Sequence, residues 1–262
     1  MTALLEHLRS RSTGGRKLLV PYLVGGGPDR ASFPAALVAV EAQADAVEVG
    51  LPFSDPLMDG PVIAAAAERA LRGGTGPLDA VALVGESPRA ATPRLAMTYY
   101  NPIHRLGEEA FCDRCVAAGI AGLIVPDLPL EESDTLRSAA AARGLAWVPL
   151  VAPTSSPDRV ARLVATATGF VYAVSTLGVT GTRESLSDRA ARVAAACKAA
   201  TDVPVLVGIG VSDEDQARAA VGVADGVVIG SAVVVRLDEG GPAAAAAFLE
   251  GIRAALDNPA PG

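Results

Sequence analysis

Carboxylates at the end of a short apolar run are the residues of this sequence best suited to chemistry. Glu48 interrupts the apolar run 45–49, and Asp55 and Asp59 follow in a loop rich in glycine and proline. An apolar run of this length that ends at glycine and proline predicts a buried parallel strand. Glu48 is therefore either a structural carboxylate bonded to nearby backbone or an acid–base group with a raised pKa. The loop favours acid–base chemistry, because its wetter carboxylate can stay ionised while Glu48 holds a proton.

Two glycine-rich segments late in the chain have the composition of a phosphate site. They are 208–212 and 230–232, and each follows an apolar run. Glycine lets the backbone approach an oxyanion closely, and N–H groups at the start of a helix complete the cradle. Tight packing of a strand against a helix is the alternative explanation. The place of both segments, after the last two predicted strands, favours phosphate.

The scarcity of other reactive residues argues against several reaction classes. The only lysines, Lys17 and Lys198, are not at predicted strand ends, so a Schiff-base aldolase has no candidate nucleophile. Two histidines are too few for a histidine-rich site, and we expect no metal. Cys112 and Cys115 form a C-x-x-C inside a helical pattern with no second pair nearby, which argues against a redox role. Proton transfer by carboxylates is the reaction class that these absences leave open.

Charge and apolar patterning limit the surroundings in which the protein works. The net charge of −7 argues against nucleic acid or an anionic membrane as a partner. No apolar run is long enough to span a membrane, and residues 1–16 lack the apolar centre of a signal peptide. Three cysteines without an even framework indicate a reducing, cytoplasmic location.

Strand-like and helical segments alternate along the chain, which predicts parallel β–α–β units. Eight such units close into a (β/α)8 TIM barrel, whose active site lies at the carboxyl ends of the strands. The predicted strands are 17–23, 45–49, 94–99, 122–126, 145–150, 169–174, 203–207 and 226–229. The predicted helices are 29–43, 62–72, 108–118, 131–143, 157–167, 187–200, 213–221 and 242–256.

Two further helices are predicted, at 2–9 before the first strand and at 77–84 after the second. An open doubly wound sheet is the alternative fold, but 25–28 lacks the G-x-G-x-x-G spacing that it requires. No linker divides the chain. We therefore expect a single barrel domain over 1–262, with a frayed tail at 257–262.

The segment 47–56 followed by 59–61 closely resembles the signature of the tryptophan synthase α subunit family. Tyr172, Ser175 and three later segments follow in the order that this family shows: 178–181, 208–212 and 230–232. The resemblance runs from about Leu18 to Val235 and is most specific around Glu48. It implies a carbon–carbon lyase that cleaves indole-3-glycerol phosphate to indole and glyceraldehyde 3-phosphate by a retro-aldol reaction.

The resemblance also implies roles for individual residues. Glu48 would be the general acid–base catalyst, and Asp59 would accept a hydrogen bond from the indole N–H group. Tyr172 would help to position Glu48 and the substrate, and Thr180 would close over Asp59. The residues expected to hold the phosphate are Gly181, Gly210, Gly230 and Ser231. The residues expected to contact the indole, with ordinary packing at the barrel end as the alternative, are Tyr22, Tyr99, Leu128 and Ile209.

The family works with a β subunit that carries pyridoxal phosphate, so the resemblance implies an α2β2 complex and no cofactor in this chain. The loop around Asp55 would lie at the subunit interface. Two departures from the family pattern, at 26–28 and at Thr176, leave a free-standing indole-3-glycerol phosphate lyase as an alternative. The intact site residues argue against a catalytically retired paralogue that only stimulates a partner. Another barrel enzyme acting on a phosphorylated sugar would leave Asp59 without a task.

Overall fold

The computed structural model describes residues 1–174, 186–208 and 210–258. The predictions for seven residues fall outside these ranges and stay predictions: Ser175, Thr176, Gly178, Val179, Thr180, Gly181 and Ile209. Of the predicted frayed tail, only 257 and 258 are described, so that prediction also stays untested.

The described strands are all parallel and belong to one sheet with the order β5-β4-β3-β2-β1-β9-β8-β7-β6. They are β1 (Leu18–Val24), β2 (Val47–Gly50), β3 (Arg94–Met97), β4 (Ile120–Ile124), β5 (Ala146–Trp147), β6 (Leu150–Val151), β7 (Val171–Val174), β8 (Val205–Gly208) and β9 (Gly226–Ile229). The predicted fifth strand, 145–150, is divided into β5 and β6 because Pro149 has no N–H group for a ladder bond.

The sheet closes on itself through this divided strand. The Val148 N–H group donates to the carbonyl of Leu123, a residue of β4, over 3.1 Å. One residue later, the Pro149 carbonyl accepts from the Tyr172 N–H group of β7 over 3.0 Å. The same short segment therefore joins both ends of the strand order, and the predicted (β/α)8 barrel is confirmed. All carboxyl ends of the strands lie at one mouth of the barrel, because every strand pair is parallel.

Most of the described helices connect one strand of the barrel to the next, whereas α1 precedes β1 and α11 follows β9. They are α1 (Ala3–Arg11), α2 (Phe33–Glu41), α3 (Pro61–Arg72), α4 (Pro77–Glu86), α5 (Tyr100–Leu106), α6 (Glu108–Ala117), α7 (Asp134–Ala142), α8 (Pro157–Val164), α9 (Leu186–Lys198), α10 (Glu214–Ala220) and α11 (Ser231–Asp257). The two extra helices predicted at 2–9 and 77–84 are present as α1 and α4. Among the described residues, no helix is long and apolar enough to cross a membrane.

Two helical segments were not predicted from the sequence. Helix α5 begins directly after Tyr99 and shortens the predicted third strand, 94–99, to 94–97. It has only seven residues, so it shows no apolar periodicity. Helix α11 begins at Ser231, although 242 was the predicted start, and it is kinked at Gly241, where φ is 68°. Two adjacent glycines followed by a proline are typical of a turn, and for that reason the sequence indicated a helix only from residue 242.

The barrel interior is apolar in its lower part and closed at the amino end by α1. Leu4 and Leu8 of α1 pack with inward-facing strand residues, including Leu18 and Leu95. A fully buried carboxylate, Asp45, ties this end together. Its oxygen atoms accept hydrogen bonds from the Leu19 N–H group (2.9 Å) and from the guanidinium groups of Arg11 (2.8 Å), Arg16 (2.5 Å) and Arg253 (3.2 Å).

Candidate active site

The period-two alternation of each strand places the site residues inside the barrel mouth. Inward-facing core residues precede them by two positions: Val20 before Tyr22, Ala46 before Glu48, Phe170 before Tyr172, and Leu206 before Gly208. Alternate residues of a strand share a face, so the later member of each pair forms the next layer toward the mouth. The Cα register pairs Tyr22 with Glu48 and Tyr172 with Leu206, and the paired residues of parallel strands face the same side of the sheet.

Glu48 is a buried acid in this layer. Its side chain lies in β2, the residue is 1% exposed, and its Oε2 atom has no hydrogen-bond partner among the described residues. Burial, followed by the charge of Asp59, raises the pKa of Glu48 from 4.5 to about 8. Glu48 is therefore protonated at neutral pH, which is the form that a general acid requires.

Asp59 is half-buried in the loop between β2 and α3. Burial raises the pKa of Asp59, and interaction with the Tyr99 hydroxyl opposes that rise. Tyr99 also fixes the loop itself, since its hydroxyl oxygen accepts the Met58 N–H group over 2.9 Å. The Phe53 ring supports Tyr99 with a centroid distance of 5.4 Å. The two carboxylates thus occupy different environments, Glu48 fully buried and Asp59 half-buried, and the Tyr99 hydroxyl holds the backbone next to Asp59.

The phenol groups of Tyr22 and Tyr172 are two further polar groups that interact with Glu48 and Asp59. Burial comes first among the causes that raise the pKa of each phenol well above its usual value, and both carboxylates contribute. Each phenol needs a glycine on the next strand. A Cβ at Gly50 would lie 1.9 Å from the Tyr22 hydroxyl oxygen, and one at Gly208 would lie 2.6 Å from the Tyr172 hydroxyl oxygen. These glycines leave room for the phenols.

The sequence had assigned Gly208 only to the phosphate segment, so this spacing role was missed. The role of Tyr99 in holding the Asp59 loop was missed as well. The spacing role of Gly50 could have been suspected from the sequence, because Gly50 lies two residues after Glu48 and therefore on the same face of the strand. The other half of that contact, the Tyr22 ring, comes from a different strand, so it could not be read from the local sequence.

The candidate phosphate residues lie at the ends of β8 and β9, on the same mouth of the barrel. Gly210 has a φ of 64°, in the left-handed region that favours glycine. Gly230 immediately precedes α11, and Ser231 is its first residue. The first N–H groups of a helix have no partner within that helix and can bind an anion. Leu128 follows β4, in the loop after its carboxyl end. It packs with the outer apolar layer and lines a cavity of about 310 Å³ that also includes Trp147 and Leu163.

The structure thus defines the class of protein: a (β/α)8 barrel with two carboxylates in different environments at its mouth, an arrangement suited to acid–base chemistry. Within the described ranges, no group of three or more His, Cys, Asp or Glu side chains is arranged to hold a metal ion. The three cysteines are buried and free, and burial raises the pKa of the Cys112 thiol to about 11.

Comparison with known proteins identifies the family within this class. The family model described as "Tryptophan synthase alpha chain" matches residues 8–253. The chain is 45% identical over 260 residues to the tryptophan synthase alpha chain of Synechococcus elongatus, covering 98% of both chains. It is 46% identical over 251 residues to that of Streptomyces coelicolor, covering 95% of this chain and 92% of the relative. The chain belongs to the tryptophan synthase alpha chain family.

Solved structures agree with this assignment. The aminoacrylate-bound form of tryptophan synthase from M. tuberculosis superimposes with a TM-score of 0.89 and 38% identity, covering 98% of this chain and 100% of that chain. The tryptophan synthase alpha subunit from Legionella pneumophila gives a TM-score of 0.89 and 30% identity, covering 98% and 99%.

Proposed function

We propose that this chain is the α subunit of a tryptophan synthase and cleaves indole-3-glycerol phosphate to indole and glyceraldehyde 3-phosphate. Family membership over almost the whole chain supports the reaction. The observation that carries the mechanism is the buried carboxyl group of Glu48, which holds its proton at neutral pH and whose Oε2 atom has no partner in the described part of the chain. The relatives named above are alpha chains, and nothing in them favours a free-standing lyase.

Glu48 acts as acid and then as base. Its carboxyl group gives a proton to indole C3, which converts the ring to the indolenine form with a positive charge at nitrogen. The resulting carboxylate then takes the proton of the hydroxyl group on the neighbouring chain carbon. As the C–C bond breaks, its electron pair restores the indole, and the hydroxyl carbon becomes the aldehyde. Glu48 ends the cycle protonated, so no net proton is consumed.

Asp59 stabilises the charge that develops on the ring. Its carboxylate accepts a hydrogen bond from the indole N–H group, and that bond strengthens when the nitrogen becomes cationic. Tyr99 supports this role because its hydroxyl group holds the Met58 backbone next to Asp59. Tyr172 positions Glu48 and the substrate from the opposite side of the barrel.

The phosphate group binds at the ends of β8 and β9. Gly210, Gly230 and Ser231 supply backbone N–H groups there, together with Gly181, which follows β7. The positive end of the α11 dipole favours the dianion without a basic side chain. Thr180 closes over Asp59 in the bound state. Tyr22 contacts the indole ring.

A β subunit that carries pyridoxal phosphate is the proposed partner in an α2β2 complex, and this chain needs no cofactor for its own step. The loop after β2 forms the contact. Leu57 is 78% exposed at its tip beside Asp55, which suits a surface that a partner covers. The cytoplasm is the proposed location, and the three free cysteines support it.

The test measures indole release from indole-3-glycerol phosphate by the purified chain, alone and with a tryptophan synthase β subunit. We expect weak activity alone and a strong rise with the partner. High activity that ignores the partner would mean a free-standing lyase, and no indole in either case would refute the reaction. Glu48→Gln should lower kcat by about 10²- to 10⁴-fold, while phosphate binding and the far-UV circular dichroism spectrum stay unchanged. Glu131→Gln, on the exposed surface, is the matched control and should retain activity.

A further inference from the structure

The backbone on both sides of Tyr99 is tied to the carboxyl end of β4. On one side, the Thr98 N–H group donates to the Ile124 carbonyl over 3.0 Å. On the other side, the Tyr100 N–H group donates to Oδ1 of Asp127, in the loop after β4, over 2.8 Å. Tyr99 itself makes no side-chain hydrogen bond that caps α5. The Asp127 carboxylate is therefore the group that fixes the chain directly after Tyr99.

The surroundings of Asp127 suit this single contact. The residue is half-buried, and within the ranges that the structure describes its carboxylate forms no ion pair. Burial raises the pKa of Asp127, and the N–H groups of Tyr100 and of Asp127 itself oppose that rise. Removing a carboxylate from water without a countercharge is unfavourable. The hydrogen bond to Tyr100 is thus the interaction that the half-buried position of Asp127 secures.

The Tyr99 side chain connects this anchor to the Asp59 loop. Its ring is buried, and its hydroxyl oxygen accepts the Met58 N–H group over 2.9 Å. The same hydroxyl group interacts with Asp59. Because an aromatic side chain is rigid, a shift of the Tyr99 backbone moves the hydroxyl group and the loop that it holds. Small displacements of a positioned group lower the rate strongly, because the reacting groups lose their alignment.

We propose that Asp127 is a positioning residue for Asp59, because it fixes the Tyr99 backbone and the Tyr99 hydroxyl group in turn holds the Asp59 loop. This inference rests on the proposed function, in which Asp59 accepts a hydrogen bond from the indole N–H group. Asp127 itself does not touch the reacting atoms. Its effect is confined to the side of the site that faces the indole, since the proposed phosphate residues follow β8 and β9, which are not neighbours of β3 or β4 in the sheet.

The test compares two inhibitors that differ at the ring N–H group. One is 3-(indol-3-yl)propyl phosphate, and the other is its 1-benzothiophene counterpart, in which sulfur replaces the N–H group. In the presence of a β subunit, the wild-type chain should bind the indole compound about three- to tenfold more tightly, the size expected for one hydrogen bond. In Asp127→Ala this preference should fall below about twofold, because Asp59 no longer meets the N–H group.

Two further readouts separate positioning from a general loss of structure. In Asp127→Ala, the inhibition constant of the benzothiophene compound should change less than about twofold, since it has no N–H group to lose, whereas kcat for indole-3-glycerol phosphate should fall about tenfold. Asp127→Asn keeps an oxygen atom that can accept the Tyr100 N–H group, so its kcat should stay within about threefold of wild type.

Asp29→Ala is the matched control, because Asp29 also accepts a backbone N–H group, that of Ala31 over 2.9 Å, just before α2. It should leave the preference for the indole compound unchanged. Equal weakening of both inhibitors in Asp127→Ala, an unchanged preference, or an Asp127→Asn variant as impaired as Asp127→Ala would overturn the inference. Absence of indole release by the wild-type chain with its β subunit would instead refute the proposed function.

Discussion

The buried carboxyl group of Glu48 makes stability depend on pH in a direction opposite to that of a salt-bridged acid. Its pKa is about 8 in the folded chain, against 4.5 for the unperturbed group. Between these values the folded chain keeps the proton while the unfolded chain loses it. Stability therefore falls as pH rises through this window, and it levels off above about pH 8.

The magnitude follows from the two pKa values. With about 1.36 kcal/mol for each pKa unit, the full difference corresponds to about 5 kcal/mol, and about 4 kcal/mol of it falls between pH 5 and pH 9. Glu48→Gln removes the titration, so the free energy of unfolding of the variant relative to wild type should increase by about 4 kcal/mol over this range. Any constant effect of the buried amide cancels in this difference.

Urea denaturation at pH 5, 7 and 9, followed by far-UV circular dichroism, measures this quantity. Glu131→Gln is the control with the opposite sign. The Arg159 ion pair lowers the pKa of Glu131 to about 2, so its contribution is lost only below about pH 4 and stays constant from pH 5 to pH 9. A difference between Glu48→Gln and wild type that is equal at pH 5 and pH 9 would refute a raised pKa and the assignment of Glu48 as a protonated acid.

Three further substitutions test the arrangement around the site and at the closed end of the barrel. Gly50→Ala places a Cβ 1.9 Å from the Tyr22 hydroxyl oxygen. We expect this clash to lower the free energy of unfolding by about 1–3 kcal/mol and to lower kcat/KM. Full activity would show that the Tyr22 ring moves aside freely. Tyr99→Phe removes the acceptor of the Met58 N–H group and should lower kcat with a loss of stability of only about 1 kcal/mol, measured by steady-state assay and urea denaturation. Asp45→Asn leaves its arginine partners without their shared carboxylate and should lower the free energy of unfolding by about 3 kcal/mol, whereas an unchanged urea midpoint would contradict this.

The sequence alone determined the fold class and the central acid. Alternating strands and helices are a local property, and eight of them close into a barrel by general rules of chain topology. Glu48 stood out because an ionisable residue inside an apolar run is unfavourable unless it has a function or a partner. The period of two also places Glu48 and Gly50 on one face of their strand, although the sequence does not say which side chains of other strands they touch.

Only the tertiary structure decided the contacts between strands. The Tyr22 ring lies over Gly50 because barrel closure brings β1 beside β2 in one fixed register, and the sequence of either strand lacks that information. The same holds for Tyr99 and the Met58 backbone, which are 41 residues apart, and for Asp45 and Arg253, which are 208 apart. The pKa of Glu48 depends on these distant neighbours too, because the surrounding strands exclude water from its carboxyl group.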